Sequence, residues 1–148
     1  MNKNNSKSIL ILDYDCYFSL IEDVLQLYLK DLKLNIQFSE HRNDIMKILE
    51  SKGDEIDLLH LDKSRVVWPQ ALKITKNTLH KLDDINVNDS SFFQTIIEKY
   101  PHLKIVFVTS WGNNNELEEL KNMHIIQDYL IKPFDIKDYV KLVRNILR

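Results

Sequence analysis

Asp13, Asp15, Asp62, Thr109, Ser110 and Lys132 all stand at or just beyond the end of a short apolar run: ILIL precedes Asp13, LLHL precedes Asp62, IVFV precedes Thr109 and YLI precedes Lys132. Carboxylates, a hydroxyl and an ammonium drawn to one place can do a defined kind of chemistry. The carboxylates can bind a divalent cation or act as a nucleophile, and the ammonium can neutralise a phosphoryl group in transfer. Taken singly, each residue also has a structural explanation, since Asp and Thr often end strands and a lysine there is usually solvated. Joint action requires elements that bring them to one edge.

The apolar runs predict five strands, at Ser8 to Leu12, Leu34 to Phe38, Asp57 to Leu61, Lys104 to Val108 and Asp128 to Ile131. Their near-continuous apolar character fits strands buried on both faces of a parallel sheet. Helical spacing lies between them. Leu20, Val24, Leu27 and Tyr28 form one apolar stripe, and Ile45, Ile48 and Leu49 form another that Gly53 would cap. Phe92, Phe93, Ile96 and Ile97 follow a serine cap and precede Pro101, which forces the chain out of helix. Leu117 and Leu120 follow Asn113 to Asn115, with Glu116 and Glu119 near the positive helix end. Asp135 would cap a last helix with Ile136, Tyr139, Val140, Val143, Ile146 and Leu147 on one stripe. Strict βα alternation predicts a doubly wound, flavodoxin-like α/β fold: five parallel strands with helices on both faces. Ligands of such sheets bind at the carboxyl ends of the strands, where the candidate residues lie.

The chain of 148 residues suits one domain, and 44% hydrophobic with 28% charged residues can build a core. A formal charge of −2 gives no field for nucleic acid or an anionic membrane. Cys16 is the sole cysteine, which excludes an internal disulfide and fits a reducing compartment. The polar tail at residues 1–7 has no apolar signal region, and no run is long enough to span a bilayer, so a cytoplasmic location is expected. Gly53 and Gly112 are the only glycines, which excludes a glycine-rich phosphate cradle.

The expected single domain, residues 8–148, contains an insertion at about 65–89, longer than such connections usually are. It begins beside Asp62 and carries Lys63, Arg65, Lys73, Lys76 and Lys81 before its first acid. Leu72, Leu79 and Leu82 suggest a short extra helix, and Trp68 gives it an apolar group to pack over the site.

Over nearly its whole length, apart from this insertion and the tail, the sequence resembles the receiver domain of response regulators in two-component signalling. ILILDYD resembles the family's acidic first loop, DLLHLD its phosphoacceptor strand, IVFVTS its hydroxyl position and DYLIKPF its lysine-proline motif. The resemblance implies that Asp62 accepts a phosphoryl group from a sensor histidine kinase or phosphotransfer protein. It implies a magnesium ion held by Asp13, Asp62 and the backbone carbonyl of Ser64. It further implies that Lys132 contacts the phosphoryl group, that Thr109 and Tyr129 act as the switch, and that a cis bond precedes Pro133. The changed face of the last helices would meet a downstream protein target. One departure bears on the metal: Tyr14 stands where the family has its second acid, with Asp15 one place further on as a substitute ligand. Asp128 and Lys141, with Tyr129 beside them, match positions that pair across homodimers in some receivers, which implies a weak homodimer.

Two other functions fit some of these residues. A phosphorylation-independent pseudo-receiver, a protein-interaction module, would keep Asp62, Thr109 and Lys132 while losing metal binding at Tyr14. A phosphatase similar to haloacid dehalogenases would use Asp13 as nucleophile and Asp15 as acid/base, but it leaves Asp62 without a role. Otherwise no enzymatic turnover is expected. His60 lies inside a strand and reads as a packed residue, and the other histidines show no metal spacing.

Overall fold

A computed structural model describes residues 6–13, 15–62, 91–110 and 114–148, with the backbone alone for 15–18, 91 and 114. In chain order these form β1 (Ser6–Leu12), α1 (Asp15–Tyr28), β2 (Lys33–Ser39), α2 (Arg42–Lys52), a single 3-10 turn (Gly53–Glu55) and β3 (Leu58–Leu61). They continue with α3 (Ser91–Lys99), β4 (Lys104–Thr109), α4 (Asn114–Asn122), β5 (Asp128–Ile131) and α5 (Ile136–Leu147). The expected insertion, its helix and Trp68 lie outside the described residues.

All neighbouring strands pair in parallel in the order β2-β1-β3-β4-β5. Because side chains alternate across a strand, each strand feeds two cores. Leu10, Leu12, Leu59, Leu61, Ile105 and Phe107 pack with α2, α3 and α4 on one face. Ile9, Ile11, Leu58, Val106 and Val108 pack with α1 and α5 on the other. The expected doubly wound α/β fold is the one found. Among the described residues no helix is long and apolar enough to cross a membrane.

Helix α1 corrects one reading. The expected stripe is not its core face: Leu20, Leu27 and Tyr28 are 57%, 56% and 57% exposed, while Ile21, Leu25 and Leu29 are buried. Two apolar rows lie side by side on this helix, and helical spacing alone does not say which faces the sheet. At α5 the reading holds. Asp135 caps the helix by accepting a hydrogen bond from the Lys137 amide at 2.9 Å, and Tyr139, Val143 and Leu147 are buried.

Gly53 follows α2 as expected, but with φ −53° and ψ −37°, so the left-handed conformation is not what selects glycine. A Cβ there would overlap the Tyr100 ring, which packs against the core. Gly53→Ala should therefore lower stability by about 1 to 3 kcal/mol through overpacking. Thermal unfolding checks this, and an unchanged midpoint would mean that the ring swings aside freely.

Candidate functional site

Parallel strands that end at one edge bring their next residues together. Asp13 follows β1 and Asp62 follows β3, and the Asp62 amide donates to the Leu12 carbonyl at 2.9 Å, which holds the two strand ends side by side. Thr109 ends β4, and its carbonyl accepts from the Lys132 amide at 2.8 Å, so the residue after β5 is drawn in. Asp13, Asp62 and Thr109 are buried, at 0%, 1% and 0% exposure. The Lys132–Pro133 bond is cis, as the resemblance implied.

The Lys132 ammonium lies between the carboxylates. It donates to Asp13 Oδ1 at 2.6 Å and to Asp62 Oδ2 at 3.0 Å. Its side chain is only 7% exposed, so these are ion pairs removed from water. Burial alone would lower the lysine pKa, but hydrogen bonding and charge from Asp13, then from Asp62, outweigh it and the pKa rises.

Asp13 is also held from behind. His60 Nε2 lies 2.8 Å from Asp13 Oδ2, and His60 Nδ1 lies 2.8 Å from the Tyr139 hydroxyl, with both His60 and Tyr139 at 0% exposure. Burial first, and the Asp13 charge second, push the Tyr139 pKa far up, so it stays a hydroxyl. A carboxylate can only accept, so His60 Nε2 carries a proton toward Asp13, and in a neutral imidazole Nδ1 then accepts from the Tyr139 hydroxyl. The sequence reads His60 as a packed strand residue, and the structure adds its two polar partners. The signal that marks the pair is a polar atom at one core position of β3 and another in the apolar stripe of α5.

Tyr129 does not enter this pocket. Its hydroxyl donates to Glu118 Oε2 on α4 at 2.7 Å, which, ahead of burial, raises its pKa. Asp128 pairs with Lys121 of the same chain at 3.2 Å, and Lys141 lines a groove with Tyr28, Ile136, Lys137, Val140 and Arg144. The side chain of Asp15, and all of Tyr14 and Ser64, lie outside the described residues.

Two of the ligands expected for magnesium, the Asp15 side chain and the Ser64 carbonyl, lie outside the described residues. Magnesium requires oxygen ligands in near-octahedral array. Here both oxygens of Asp13 and one of Asp62 already face protein donors, and no cluster of three or more His, Cys, Asp or Glu suited to a metal occurs among the described residues. What the arrangement offers is a carboxylate with an ammonium beside it.

No protein-family profile matches the chain, and a search of curated proteins gave no match either. Solved structures match its fold. A response regulator from Thermotoga maritima is 15% identical over 96% of this chain and 98% of that one, with a TM-score of 0.64. An orphan response regulator of H. pylori is 19% identical over 96% and 97%, with a TM-score of 0.63. The signal receiver domain of an HD domain-containing protein from Pseudomonas fluorescens Pf-5 is 21% identical over 96% and 94%, with a TM-score of 0.61. The chain has the receiver-domain fold of the response regulators.

Proposed function

We propose that the chain is a phosphoacceptor in two-component signalling, taking a phosphoryl group on Asp62 from a histidine kinase or phosphotransfer protein. The observation that supports this is the Lys132 ammonium 3.0 Å from Asp62 Oδ2 at the carboxyl edge of a receiver fold. In the transfer an Asp62 oxygen bonds to phosphorus as the phosphorus-nitrogen bond of the donor phosphohistidine breaks. The electron pair stays on the imidazole. Lys132 offsets the charge that gathers on the phosphoryl oxygens. Thr109, at the end of the adjoining strand, is the hydroxyl that meets the product. The output is a changed face around α4, β5 and α5 for a downstream protein, where Tyr129 exchanges its bond to Glu118 for an inward position. Self-association through that face is weak, because exposed ion pairs contribute about 0 to 1 kcal/mol each. Sedimentation velocity across micromolar concentrations measures it.

A second reading, an interaction module that works without phosphorylation, is favoured by the bonds that Asp13 accepts from Lys132 and His60 and by Tyr14 in the family's acid position. A small phosphodonor with magnesium, followed by intact mass, separates the two. The full chain should gain the mass of one phosphoryl group and the Asp62→Asn chain none. No gain in the unaltered chain would favour the interaction module.

A further inference from the structure

Two polar residues sit in the core between the sheet, α1 and α5, where leucines would serve packing. His60 and Tyr139 lie 79 positions apart in sequence and face one another with ring centroids 5.6 Å apart at 59°. Burying an imidazole and a phenol is unfavourable unless their polar atoms are bonded. Among the described residues they are bonded in series: with His60 neutral, the Tyr139 hydroxyl donates to His60 Nδ1, His60 Nε2 donates to Asp13 Oδ2, and Asp13 Oδ1 and Asp62 Oδ2 accept from Lys132. The series runs from a helix on the surface of the domain to the candidate phosphoacceptor. We propose that His60 is a positioning residue: it fixes the Asp13 carboxylate, and through it Lys132, and joins the pocket to α5 through Tyr139. This rests on the reading of Asp62 as phosphoacceptor.

The geometry gives the reason. A buried carboxylate has several acceptor directions, and its orientation is set by whichever donors it meets. His60 takes Oδ2, so Oδ1 is turned toward Lys132 and the ammonium is held between the two acids. Phosphorylation of Asp62 would draw Lys132 toward the new oxygens, and the loss at Asp13 Oδ1 would be felt at Oδ2, then at His60 and at the α5 hydroxyl. Bonds of this kind polarise one another in a medium of low dielectric. The effect reaches α5 without passing through Thr109 or Tyr129.

The test uses the full chain in two arms. In the first, small-phosphodonor labelling at Asp62 is timed by intact mass in His60→Leu and His60→Gln. Leucine should slow labelling by about tenfold, the scale on which orienting partners act. Glutamine, which can donate to Asp13 and accept from Tyr139, should restore most of the rate, although leucine is the better core residue. A merely structural role predicts the reverse order. Leucine at the native rate, or glutamine no faster than leucine, would overturn the proposal. In the second arm, the nitrogen and proton resonances of the Lys132 ammonium are followed in Tyr139→Phe, which removes one oxygen three residues away along the series. They should shift, and should not shift in Phe134→Leu, where the lost ring stacks on Tyr139 at 5.8 Å but belongs to no such bond. A silent Lys132 in Tyr139→Phe overturns the proposal. If the unaltered chain takes no label, the phosphoacceptor reading falls, and the ammonium resonance alone decides whether His60 positions the pocket.

Discussion

Lys132→Met should lower stability at neutral pH by about 3 to 5 kcal/mol, because it leaves buried carboxylates without their cation. It should also move the loss of stability with rising pH from the alkaline range to the acid range. In the unaltered chain the Lys132 pKa is raised by its acids, so its contribution is fully present below the ordinary lysine value of 10.5 and is lost as pH climbs through the raised value. In the methionine chain the burden passes to the acids. Carboxylates buried beside one another without an ammonium resist ionisation, so stability falls as pH rises through the ordinary aspartate value of about 3.9. Chemical denaturation from acid to alkaline pH should give profiles that approach one another in acid and separate toward neutrality. Parallel profiles would mean that the ion pairs contribute nothing to folding.

A comparable loss is expected in the core that the sheet shares with α2, α3 and α4. Phe107→Ala should lower stability by about 3 to 5 kcal/mol, from lost burial and the cavity left behind. Phe107 is fully buried on β4, and its ring meets that of Phe93 on α3 edge to face, with centroids 5.4 Å apart. Since both belong to the core shared with α2, α3 and α4, the damage should be local as well as global. Hydrogen exchange should show α3 losing protection before α5. Equal loss in the two helices would indicate that the cores on the two faces open together.

Strands and pocket were legible in the sequence for one reason. Strands buried on both faces must be apolar almost throughout, and the first polar residue after each run falls at the edge where ligands bind. Asp13, Asp62, Thr109 and Lys132 were found in that way, and the strand boundaries agree within two residues. What could not be read depends on pairing across the fold. Leu20, Leu27 and Tyr28 have the same helical spacing as the buried Ile21, Leu25 and Leu29, and only the position of the sheet distinguishes the rows. Gly53 stands at a helix end, where a capping explanation is ready, yet the Tyr100 ring is the reason for it. Asp128 lies beside Lys121 of α4, a contact that no local pattern announces. His60 and Tyr139 each show only a polar atom at a core position, and nothing local joins them, because the hydrogen bond between them spans 79 positions.

The position of Lys132 also orders the assembly of the domain in time. It stands 119 positions after Asp13 and 70 after Asp62, and it enters only when β5 joins the sheet's edge. While the chain is being synthesised, β1 and β3 exist well before their cation does, and pairing them closely would bury two negative groups together. Contacts so distant in sequence carry a large closure entropy and form late. A nascent chain halted before residue 132 thus holds Asp13 and Asp62 without their cation, and the pocket is complete only with the docking of β5.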